Sequence, residues 1–83
     1  MLMTATEKAT IRTFARMHRT TETSAEYDEA KATAVDLYHK YLPLMSISER
    51  TDPHMMFMAE VATKVPDLML RSKYREMLTE GRY

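Results

Sequence analysis

The stretch TSAEYDEAKATAVDLYHKYLP, residues 23–43, decides the fold. Tyr27, Ala30, Ala34, Leu37, Tyr38 and Tyr41 recur at separations of three and four, which stacks their side chains on one face of an α-helix. Thr23 followed by Glu26 makes a capping-box pattern, in which each residue's side chain accepts a backbone N–H of the other and opens the helix. Pro43 disfavours helical angles at Leu42, so the run stops there. Such a helix must bury its apolar face against another element, and the small Ala30 and Ala34 let that element come close.

The flanking segments supply partners of the same kind. TTETS, residues 20–24, has no apolar side chain and reads as a short connection. Upstream, Thr4 and Glu7 form another capping box for a helix over about residues 5–20. Ile11, Phe14, Met17 and His18 share its apolar side, with Met3 in line, while Lys8, Arg12, Arg16 and Arg19 gather opposite. Downstream, Ser46 and Glu49 suggest a single turn within LMSISERTD, before Asp52 and Pro53 restart a helix over 53–65. Pro66 either kinks that helix or begins a fourth, which ends near Glu80 with Gly81 closing it. Leu70, Tyr74, Met77 and Leu78 are its apolar face.

A chain of 83 residues with one glycine can build few tight hairpins, and no segment alternates apolar and polar residues for long. The expectation is one all-α domain over 1–83, an antiparallel bundle of three to four helices that a second copy could complete. Twelve basic residues balance twelve acidic ones, which removes the global electrostatic case for nucleic acid or an anionic membrane. There are no cysteines, hence no disulfides and no thiolate chemistry. No apolar run nears the roughly 18 residues of a membrane span, and MLMTATEKAT lacks the order of a secretory signal, so a cytoplasmic protein is expected.

HMMFM, residues 54–58, concentrates three of the nine methionines. On a helix it separates. His54, Phe57, Met58, Val61 and Val65 share one face, Met55 lies on the flank beside Ala59 and Ala62, and Met56 falls among Glu60, Thr63 and Lys64. Thioether ligation of copper needs converging methionines, and neighbours about 100° apart diverge. Met56, Leu68 and Met69 are left off the apolar faces, which suggests a second apolar surface that docks on a protein partner or on another copy.

Other constellations are weaker. Lys8, Arg12, Arg16 and Arg19 span roughly 16 Å and could follow phosphates. Against that stand Glu22, Glu26, Asp28 and Glu29 nearby and the lack of a helix-turn-helix turn. Asp36 and His39 have di-metal spacing, but the motif occurs once and Asp36 lies on a polar flank, so an ordinary surface pair is expected. His18 borders an apolar stripe, and no nucleophile–base–acid set or glycine-rich loop can be assembled. These features predict no catalytic residue, no metal and no cofactor. They point to a non-enzymatic helical interaction or regulatory module, adaptor- or inhibitor-like, of the kind small accessory proteins of bacteria or phages provide. A nucleic-acid-binding regulator using the basic face is the alternative.

Overall fold

The first helix begins where Thr4 and Glu7 place it. In a computed structural model that describes residues 3–17, 25–63 and 72–83, α1 spans Ala5–Met17. The Thr4 N–H donates to Glu7 Oε1 at 2.9 Å and the Glu7 N–H donates to Thr4 Oγ1 at 3.1 Å, so the capping box is formed. Helix α2, Ala25–Tyr41, occupies most of the amphipathic segment 23–43. Pro43 tightens the chain after it into a 3-10 turn, Leu42–Leu44. The single turn expected from Ser46 and Glu49 is α3, Ile47–Arg50, with both halves of its capping box present.

Helix α4 spans Pro53–Thr63, and α5 spans Lys73–Glu80. Ser72 has extended backbone (φ −107°, ψ 156°) and its side chain accepts the Arg75 N–H. Residues 53–80 are therefore not one kinked helix, and 66–80 is not one continuous helix either, because the chain leaves helical angles at Ser72 and is capped anew. Gly81 closes α5 in the left-handed region at φ 79°, and the Arg82 N–H donates to the Met77 carbonyl at 2.8 Å. Residues 18–24 and 64–71 lie outside the described residues, and with them His18, Arg19, Thr23, Val65, Leu68, Met69, Leu70 and the proposed helix start at Pro66. The described residues contain no strand.

The core forms where the helical stripes meet. Ile11, Phe14 and Ala15 from α1, Tyr27, Ala34, Tyr38 and Tyr41 from α2, Met55, Phe57, Met58 and Val61 from α4 and Leu78 from α5 are all buried, and Met3 joins them. The Phe14 ring lies 5.5 Å from Tyr27 and 5.8 Å from Phe57, tilted in both cases, and so locks three helices together. A radius of gyration of 11.8 Å matches the roughly 12 Å of a packed chain of this length.

Two placements depart from helical-wheel expectation, for one reason. Helix α1 touches α2, α4 and α5, and α4 touches α1, α2, α3 and α5, so the covered arc of each helix is wider than its apolar stripe. Met55, expected on a flank, is consequently buried. Lys8 and Arg12, expected on an open face, are half-buried, and Arg16 is exposed. Among the described residues, no helix is long and apolar enough to cross a membrane.

Candidate functional site

The order Asp52-Pro53-His54 sets the geometry at the start of α4. Pro53 lacks an N–H and fits the first helical position, which leaves Asp52 to cap the next free donors. Asp52 Oδ1 accepts the His54 backbone N–H at 2.9 Å and lies 2.6 Å from His54 Nδ1. One carboxylate oxygen thus caps the helix and orients the imidazole.

The far side of the ring fixes its tautomer. Arg12 NH1 stands 3.3 Å from His54 Nε2, and a guanidinium can only donate. Nε2 must therefore accept, so the proton sits on Nδ1 and is donated to Asp52. His54 is 2% exposed. Its pKa is pushed below the ordinary 6.5, first by burial, with the charges of Lys8 and Arg12 acting the same way against the hydrogen bond and charge of Asp52. Neutral imidazole fits these partners.

The chain beyond α5 completes the cluster. The Arg12 guanidinium carbon lies 4.9 Å from the centre of the Tyr83 ring, and Tyr83 meets the His54 ring nearly edge-on at 5.2 Å. Tyr83 remains 55% exposed, so the seam joining α1, α4 and the segment after α5 opens to solvent at that ring. An Asp–His pair can serve a general base, but here the Nε2 lone pair such a base would use faces Arg12. Its evident chemistry is helix-to-helix attachment.

A second polar seam ties α1 to α2. The Tyr41 hydroxyl lies 2.8 Å and 2.9 Å from the two carboxylate oxygens of Glu7 and donates to them, and Lys40 Nζ lies 3.8 Å from Oε2. The backbone hydrogen bond at Thr4 lowers the Glu7 pKa most, followed by the Tyr41 hydroxyl.

The apolar surface lies elsewhere. Ile47 is 83% exposed and Leu44 64% exposed, and both flank Met45, which is buried. They stand on a braced corner: Ser46 and Glu49 cap α3, and Arg50 Nε donates to the Met45 carbonyl at 3.2 Å. Met56 is half-buried on α4, so it offers part of its surface. Asp36 and His39 are exposed, the latter with its ring 5.2 Å from Tyr38. Among the described residues, no three potential ligands of the His, Asp and Glu type converge. A concavity of about 210 Å³ on α5 is lined by Arg75, Glu76, Thr79 and Glu80, a mixed-charge surface from a single helix.

Sequence reasoning missed Arg12–His54–Tyr83 as a unit and missed Leu44 and Ile47 as exposed. The Asp52–His54 half was available from the capping geometry of Asp-Pro-His. Arg12 lies 42 residues from His54 in sequence, and no local pattern links them. Comparison with protein-family models, with curated proteins and with solved structures matches the chain to none of them. The functional reading rests on the chain's own residues.

Proposed function

We propose that this chain is a non-enzymatic helical interaction module that docks on protein through an apolar surface. The observation that carries this reading is the pair Leu44 and Ile47, held largely in water on a capped, braced corner. Exposed isoleucine is destabilising neither to the fold nor useful to it, and its burial against a partner would remove apolar area from water at about 25 cal/mol per Å². Met56 adds an adaptable thioether, and Leu68 and Met69 belong to the same proposal by sequence pattern. The two exposed side chains alone offer far less than the roughly 800 Å² per partner of a stable interface, so they act as anchors inserted into a complementary apolar socket. The zero net charge opposes neither self-association nor a partner of either sign.

The test uses the purified chain and the variants Ile47→Asp and Met56→Asp. Sedimentation over a wide concentration range reads self-association, and affinity capture with wild type and variant side by side reads a protein partner. Association or capture that wild type shows and Ile47→Asp loses, at unchanged helix content, supports the reading. A strict monomer whose captured proteins are the same for wild type and variants sinks it.

The nucleic-acid alternative would use Lys8, Arg12, Arg16 and Arg19. Its support is thinner, since the Arg12 guanidinium is engaged by His54 and Tyr83 and Lys8 is half-buried beside the same seam. Binding to duplex or single strands at low salt, with a salt slope that falls by nearly one for each cation removed, would restore it.

A further inference from the structure

We propose that His54 is an acid-operated latch: a proton on Nε2 removes the acceptor for Arg12, expels the guanidinium from the α1–α4 seam and frees Tyr83. The geometry leaves few alternatives. Nε2 faces NH1 of Arg12 at 3.3 Å, so protonation sets an N–H donor against a donor and a positive charge against a positive charge. Asp52 holds Nδ1 at 2.6 Å whether or not Nε2 carries a proton, so the imidazole stays and Arg12 is the group that moves.

The ionisable groups facing the ring are Lys8 and Arg12 from α1, Asp52 from the turn before α4 and the Tyr83 ring beyond α5. Two cations and one anion make the closed seam hostile to an imidazolium. Burial adds to that hostility and holds the closed-state pKa below 6.5, whereas an opened, hydrated seam returns it toward that value. Between the two pKa values the ratio of open to closed molecules rises up to tenfold per unit fall in pH. Tyr83, already half in water, then loses the cation over its ring and keeps only its edge contact with the His54 ring at 5.2 Å.

The experiment is a nuclear magnetic resonance titration of the full chain from pH 8 to 4.5. It follows the His54 imidazole protons, the Tyr83 ring protons and the nuclear Overhauser contacts between Tyr83 and Arg12, with helix content read in parallel by circular dichroism. The contacts should be present at pH 8 and vanish along the His54 titration curve while helix content stays constant. In His54→Gln, whose amide can still accept from Arg12, they should be independent of pH over the same range. Three outcomes overturn the latch: contacts that persist once His54 is protonated, contacts that vanish at the same pH in His54→Gln, or helix content that falls on the same curve. Should His54→Gln fail to fold, Arg12→Gln decides, because removing the guanidinium charge must raise the His54 titration midpoint. An unmoved midpoint overturns the proposal.

Discussion

Glu7 and Arg12 stand five residues apart on α1, about 7.5 Å along its axis, and each fastens that helix to a neighbour by different electrostatics. Glu7 lies at the edge of the bundle, keeps its charge and gathers donors: two from its own capping box and Tyr41, with Lys40 beside them. Arg12 reaches inward to an imidazole that must be neutral to receive it. The first clamp is stabilised by a charge that water still reaches, and the second by the absence of one. Burying an imidazolium beside a guanidinium would cost far more than burying the neutral ring. Acid therefore weakens both clamps, but through unlike events and in separate ranges of pH.

The largest effect should come from removing what both clamps depend on. Phe14 shares α1 with Glu7 and Arg12 and packs that helix against the Tyr27 ring of α2 and the Phe57 ring of α4. Phe14→Ala should cost about 3–5 kcal/mol. A domain of this length has a total stability of about 4–12 kcal/mol, so the variant should lose about a quarter of it or more, read as a lowered urea midpoint. A loss under about 1 kcal/mol would show that the three helices are not locked through this ring.

Next in size is Asp52, which serves the second clamp twice, as helix cap and as acceptor for Nδ1. Asp52→Ala should destabilise by about 1–3 kcal/mol at pH 8. Asp52→Asn keeps an oxygen for both bonds and should lose less. Equal losses in the two variants would mean that charge, rather than hydrogen bonding, is what Asp52 contributes. Tyr41→Phe is the matching change in the first clamp, and its effect should be smaller because Glu7 retains Thr4, Lys40 and water.

Several of these features are legible in the sequence because they are local. The capping boxes Thr4–Glu7 and Ser46–Glu49, the Asp52–Pro53 restart and the Gly81 closure depend on residues a few positions apart, and all are formed. The stripe through Tyr27, Ala34, Tyr38 and Tyr41 is likewise a property of one helix, and those residues are buried. What a helical wheel cannot show is how many neighbours a helix will have. The wheel puts Met55 on a flank and Arg12 on an open face, yet both meet other helices because α1 and α4 each have several neighbours. Leu44 and Ile47 fail the other way: a 3-10 turn and a single α-helical turn are too short to turn both apolar side chains inward once Met45 has been buried.

The two clamps lose stability in different windows of pH. The pKa of His54 is depressed, so the unfolded chain binds the proton more readily. The stability that His54 holds is complete above 6.5 and declines as pH falls through its lower folded value. The Glu7 pKa is also depressed, and its contribution is complete above 4.5 and declines as pH falls through the folded value. A plot of unfolding free energy against pH should bend once below 6.5 and again below 4.5. His54→Gln should erase the first bend and leave the second, and Tyr41→Phe should soften only the second. A single bend abolished by neither change would mean that other groups govern acid stability.

The smallest effect on stability should come from Ile47→Asp, and that smallness is what makes it informative. At 83% exposure Ile47 contributes little to the core, and a surface substitution of this kind usually shifts stability by no more than about 0.5 kcal/mol. Aspartate at the first position of α3 also sits favourably against the helix dipole, which offsets part of any loss. If the urea midpoint falls well outside that range, Ile47 belongs to the fold and cannot be the anchor of a docking surface. If the midpoint holds while association is lost, the corner at Leu44 and Ile47 differs in kind from both clamps: they hold α1 in place whether or not a partner is bound, whereas the corner contributes only when another protein covers it.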